Sequence, residues 1–119
     1  MKHILLVDDD AAVMGVLVKA LRNYRLTVAH NGAEALTIVG GAESVDLVIT
    51  DYLMPVMTGD ELIGRLRVDR PDLKALVITG HGDILDREQH EWWETSRRLT
   101  KPFSIADLIA AVTALIGEA

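Results

Sequence analysis

Three aspartates in a row, Asp8-Asp9-Asp10, close a short apolar run near the start of the chain, and Asp51 closes another. Two later runs lead into Thr79-Gly80 and Lys101-Pro102. Carboxylates from two segments, brought together, repel one another by several kcal/mol unless a cation joins them or one keeps its proton. Hard divalent cations prefer oxygen ligands, and Mg²⁺ commonly takes one or two carboxylates while keeping several waters. The chain contains no cysteine, and His3, His30, His81 and His90 are scattered rather than paired. Soft-ligand and zinc sites are thereby disfavoured, and Mg²⁺ or Mn²⁺ is the natural occupant. The Thr79 hydroxyl adds a donor and Lys101 a mobile ammonium. Such a set suits phosphoryl transfer, in which catalysis is mostly positioning and charge neutralisation.

The elements that must position these residues alternate along the chain. Ile4-Leu5-Leu6-Val7 has the continuous apolar pattern of a strand buried on both faces. Residues 11–23 place Val13, Val16, Leu17, Ala20 and Leu21 at helical spacing. Leu26 to Ala29 predicts a second strand, Asn31-Gly32 a turn, and Ala33 to Val39 a helix stopped by Gly40-Gly41. Leu47 to Thr50 predicts the third strand, with Asp51 to Pro55 as a loop because the residue before proline avoids the helical region. A helix over Gly59 to Val68 and a strand over Ala75 to Thr79 follow. A polar helix is expected over 84–93, then a short fifth strand over Arg98-Leu99-Thr100. Ser104, with Asp107 three residues on, predicts a capped last helix whose stripe is Ile105, Leu108, Ile109, Val112, Leu115 and Ile116. Five strand–helix units in succession imply a parallel sheet with helices on both faces. Ligands of such open α/β sheets lie beyond the carboxyl ends of the strands, where the residues named above fall.

These pieces, "LLVDDD", "NGAEAL", "DLVITDYLMPVMTG", "LVITGHGD" and "LTKPF", run in order from Lys2 to Gly117. Together they resemble the receiver domain of bacterial response regulators, the CheY-like superfamily of two-component systems. The resemblance implies one flavodoxin-like (βα)5 domain over 1–119, with strand order 2-1-3-4-5. It implies that Asp51 is the phosphoacceptor for a phosphohistidine of a sensor histidine kinase or a histidine phosphotransfer protein. It further implies that Asp9 binds Mg²⁺ directly, Asp8 acts through metal-bound water, and the Leu53 carbonyl completes the protein's share. Thr79 and Lys101 would each contact a phosphoryl oxygen, Pro102 matches a cis-proline position, and Asp10 is a solvated acid at a helix start. On this reading the chain is a signalling module that speeds its own phosphorylation and slowly loses the phosphate, with no separate substrate.

Taken singly, each motif has a plainer reading. The three aspartates could be capping residues, Asp51 a turn aspartate and Lys101-Pro102 a surface pair. Their joint placement at the strand ends favours chemistry. A small phosphatase of the haloacid-dehalogenase type would use Asp8 and Asp10, but Ala12 stands where a hydroxyl is wanted. A phosphorylation-independent interaction domain is the third reading.

The segment from Asp86 to Arg98 departs from the family. Arg87, Glu88 and Glu91 occupy positions where small or aliphatic residues are common, and Glu94-Thr95 replaces a common Gly-Ala pair. Arg98 stands where the switch aromatic is usual, and burying its charge unpaired would be costly. One of Trp92 and Trp93 is expected to fill the core. The other must point about 100° away and mark a partner or dimer surface. The helix over 84–93 is therefore expected to be short, shifted or mobile, within an atypical output surface shared with the fifth strand and last helix.

Composition limits the remaining classes. With half of its residues apolar and a quarter charged, the chain suits a globular domain with a core. No apolar run reaches membrane-spanning length, and no signal peptide is evident. The lack of cysteine fits the cytoplasm. A net charge of −6 argues against nucleic-acid contact by this domain. A homodimer through the output surface is the family-derived expectation.

Overall fold

A computed structural model of the chain describes residues 1–40, 44–80 and 96–118. Within them the order is β1 (His3–Val7), α1 (Ala11–Ala20), β2 (Arg25–Ala29), α2 (Gly32–Ile38), β3 (Leu47–Asp51), α3 (Gly59–Asp69), β4 (Lys74–Thr79), β5 (Ser96–Thr100) and α4 (Ile105–Ile116). All five strands are parallel and lie in the order β2-β1-β3-β4-β5. This is the flavodoxin-like arrangement, as expected.

Side-chain alternation splits the core into two layers. Leu5, Val7, Val48, Ala75 and Val77 pack on one face with Ala35 of α2 and Leu62, Ile63 and Leu66 of α3. Ile4, Leu6, Leu47, Ile49, Leu76 and Ile78 pack on the other with Met14 and Leu17 of α1 and Leu108, Val112 and Leu115 of α4. Every residue of β1 and β3 is buried, which is why Ile4–Val7 and Leu47–Ile49 within them read as unbroken apolar runs.

Each helix starts on a side-chain cap that satisfies amides the helix cannot bond itself. Asp10 accepts from Ala12 and Val13, Asn31 from Glu34, Thr58 from Glu61 and Ser104 from Asp107.

Several boundaries move from their expected places. α1 ends at Ala20 rather than Asn23, because Leu21 is buried and Tyr24 bonds back to its carbonyl at 2.9 Å. The turn is needed early, since Arg25 already pairs with His3. Asn31-Gly32 is the start of α2 rather than a separate turn. Asp51 is the last residue of β3 rather than the first of the loop. β5 begins two residues before the expected Arg98, because Arg67 holds Ser96 Oγ at 3.0 Å and draws a polar stretch into the sheet. On α4 the buried line is Leu108, Val112 and Leu115, while Ile105 and Ile109 remain exposed. The helix expected over 84–93, with Trp92 and Trp93, lies outside the described residues.

Candidate functional site at the carboxyl ends of the strands

Adjacent strands bring the carboxylates together. β1 and β3 pair through Val7 and Thr50, so the residues that follow, Asp8 and Asp51, emerge side by side. One carboxylate oxygen from each of Asp8, Asp9 and Asp51 lies within 4.8 Å of the others. Asp8 and Asp51 are buried, whereas Asp9 is exposed. Burial is the largest influence on both buried acids and raises their carboxyl pKa values. At Asp8 the Asp10 amide opposes this, donating to Oδ1 at 2.8 Å, while the charge of Asp51 adds to it. At Asp51 the opposing influence is Lys101, whose Nζ is 3.6 Å from Oδ2.

The fit of this cluster to a divalent cation rests on Asp8. Its Oδ2 is shielded from solvent and has no hydrogen-bond partner among the described residues. A buried, unpartnered carboxylate oxygen beside two further carboxylates is the donor set of a hard cation, and the residues fit Mg²⁺ or Mn²⁺. Asp10 does not join the group. Its side chain turns away to cap α1.

Thr79 and Lys101 approach from the other side. Asp51 pairs with Ile78, which places Thr79 one residue further out on the neighbouring strand. Thr79 is buried, and its carbonyl accepts the Lys101 amide at 2.8 Å. The Lys101–Pro102 peptide is cis, matching the expectation. The loop after β3 is welded to the site, since the Tyr52 amide donates to the Ile78 carbonyl at 2.9 Å and the Gly59 amide to the Tyr52 carbonyl at 2.8 Å. Leu53 lies on this loop with its side chain exposed, while Tyr52 and Met54 pack on the core and Met57 is buried within it.

Arg98 is half-buried, and its Nε and Nη2 are shielded from solvent. Its charge acts on Asp60, in the first turn of α3, a residue that sequence reasoning passed over. An acid at a helix start reads as a partner for the helix dipole, which hides any other role. Arg67 was also missed. It reaches from α3 to the Leu73 carbonyl and Ser96, fixing the start of β5 and so the line on which Lys101 lies.

Comparison with known proteins agrees with this geometry. The profile of the response regulator receiver domain matches residues 4–113. The chain is 36% identical over 118 residues to the response regulator receiver protein CpdR of Brucella abortus, covering 98% of each. It is 34% identical to the response regulator MprA of Mycobacterium avium over 96% of this chain, but spans only 50% of that protein. A crystal structure of a response regulator receiver domain protein from Clostridium thermocellum superposes with a TM-score of 0.81 at 29% identity, covering 97% of this chain and 94% of that one. With a parallel sheet ordered 2-1-3-4-5 and an acidic cluster at its strand ends, the chain belongs to the family of response regulator receiver domains of two-component signalling.

Proposed function

We propose that this domain accepts a phosphoryl group on Asp51, in a Mg²⁺-dependent reaction, from a phosphohistidine of a sensor histidine kinase or histidine phosphotransfer protein. The observation that carries the reading is the placement of Lys101 Nζ 3.6 Å from Asp51 Oδ2, beside the cluster of Asp8, Asp9 and Asp51. An oxygen of Asp51 attacks the phosphorus in line. The new P–O bond forms as the P–N bond to the donor imidazole breaks, and the imidazole departs with the bonding electron pair. The Lys101 ammonium neutralises one phosphoryl oxygen, and the Thr79 hydroxyl donates to another. Asp8, Asp9, Asp51 and the Leu53 carbonyl would hold the ion. When bound, Mg²⁺, or Mn²⁺ in its place, supplies positive charge to the phosphoryl oxygens.

The product is a phosphoaspartate that water slowly hydrolyses, so the chain is a signalling module rather than an enzyme with its own substrate. Residues 1–119 form one domain, placed in the cytoplasm by its kinase partner. No helix among the described residues is long and apolar enough to cross a membrane, and the acidic balance argues against direct contact with nucleic acid. Output runs through the surface of β5 and α4, with Arg98 as its departure from the family, and the same face serves a homodimer; Trp92 and Trp93, assigned to this output by their sequence, lie outside the described residues.

Incubation with Mg²⁺ and acetyl phosphate, followed by peptide mapping by mass spectrometry, tests the reading against Asp51→Asn. An adduct on Asp51 that the variant lacks supports it. Stable modification of Asp8 points instead to a phosphatase, and no modification to an interaction domain that works without phosphate.

A further inference from the structure

Asp60 and Arg98 lie outside the carboxylate cluster, yet each is tied to one half of it. Asp60 follows Gly59, which sits so close to the Asp51 backbone that a Cβ there would fall 2.5 Å from the Asp51 carbonyl oxygen. Arg98 lies opposite Val77 on β5, three residues before Lys101. Asp60 Oδ1 and Arg98 Nε and Nη2 are all shielded from solvent, with no hydrogen-bond partner among the described residues. The two charges nevertheless feel each other. Burial raises the Asp60 carboxyl pKa and the Arg98 guanidinium opposes the rise. Nε and Nη2 form one edge of the guanidinium, an edge that can grip a carboxylate with two parallel bonds. A matching donor edge and acceptor are thus buried, near one another and unbonded, which is a costly state unless another state joins them.

We propose that Asp60 and Arg98 are positioning residues that form a latch between α3 and β5, closing into a direct ion pair when Asp51 carries a phosphoryl group. The inference rests on the phosphoacceptor reading above. Phosphorylation adds negative charge and moves it outward from the tip of β3, and the Lys101 ammonium follows it. Among the described strands β5 is an edge strand paired with β4 alone, and since Arg67 of α3 holds its first residue, Ser96, its far end can pivot with Lys101. That shift carries Arg98 relative to the start of α3. Closure satisfies three buried polar atoms and favours the arrangement in which Lys101 and Thr79 hold the phosphoryl oxygens. By linkage, losing the latch weakens binding of a phosphoryl analogue.

A double-mutant cycle on the full chain tests this. Asp60→Asn, Arg98→Gln and the double variant are measured for beryllofluoride affinity in Mg²⁺ by fluorine NMR, and for unfolding in urea without it. Each single change is expected to weaken beryllofluoride binding about tenfold, with the double variant no weaker than either single one, while unfolding shows no such coupling. Equal coupling in both measurements makes the pair a static structural contact and overturns the latch, as does additivity in both. A second measurement needs no stable variant series. The Arg98 Nε–H resonance, assigned by its loss in Arg98→Lys, is expected to move downfield when beryllofluoride is added, and an unmoved resonance overturns the latch. Wild-type chain that binds no beryllofluoride removes the phosphoacceptor reading itself, and the latch with it. Binding with uncoupled positions removes the latch alone.

Discussion

Lys101 Nζ lies 3.6 Å from Asp51 Oδ2 although β4 runs between β3, which ends in Asp51, and β5, which Lys101 follows. The lysine stem spans that width, and its backbone is pinned by the Thr79 carbonyl. The ammonium is the main influence opposing the burial of Asp51. Lys101→Met is therefore expected to raise the Asp51 pKa further, as read by carbon NMR titration of its carboxyl. It should also weaken beryllofluoride binding by at least tenfold, the scale of one charge-assisted contact. An unchanged affinity contradicts the assigned role.

Asp8 contributes a buried carboxylate with an unpartnered oxygen. Removing its charge relieves repulsion with Asp51 and abolishes part of the cation site. Asp8→Asn is expected to raise metal-free stability by about 1–2 kcal/mol, between the limits for a charge pair in water and near a protein surface. Mg²⁺ should then stabilise the variant less than the wild type, as measured by thermal unfolding with and without the ion.

Asp8 and Asp51 also set a pH dependence of definite sign. Their folded-state pKa values are raised above the ordinary 3.8 of the unfolded chain. Between 3.8 and those raised values the native state holds more protons than the unfolded state, so their contribution to stability falls as pH rises through that window. Below it the contribution is fully present. In metal-free buffer, the urea midpoint of the wild type should fall, relative to an Asp8→Asn, Asp51→Asn variant, as pH is raised from about 4 towards neutrality. A rising difference refutes the assignment.

Two glycines separate a rigid contact from a yielding one. A Cβ at Gly59 would meet the Asp51 carbonyl oxygen at 2.5 Å, whereas one at Gly32 would meet the flexible end of Met57 at 2.7 Å. Gly59→Ala is expected to cost about 2 kcal/mol or more and to impair beryllofluoride binding, because backbone cannot step aside. Gly32→Ala should cost less, its helical position and the mobile thioether both helping. Equal losses on chemical denaturation contradict this.

Val56 has φ 74° and is almost fully exposed. A β-branched residue in the left-handed region gains nothing there from packing. Val56→Gly is expected to stabilise the chain by about 1 kcal/mol, the penalty of that conformation less the extra entropy glycine loses. Urea unfolding measures the gain.

The order of residues is enough to give the fold class and to say which side chains fall at the carboxyl edge of the sheet, because both follow from local chemistry. Apolar runs such as Ile4 to Val7 require burial on both faces, and parallel strands require crossover helices. The acidic strand ends then mark the carboxyl edge, where Asp8, Asp9, Asp51, Thr79 and Lys101 all fall. What the sequence left open depends on partners distant along the chain. Ser96 joins β5 because Arg67 of α3 reaches it, and no local pattern in Ser96-Arg97-Arg98 announces a strand. Asp60 reads as an ordinary helix-start acid until the fold sets Arg98 within its field. The half-burial of Arg98 is illegible for the same reason, since the opposing charge that acts with it comes from α3, 38 residues earlier in the chain, and only folding brings the two within each other's field.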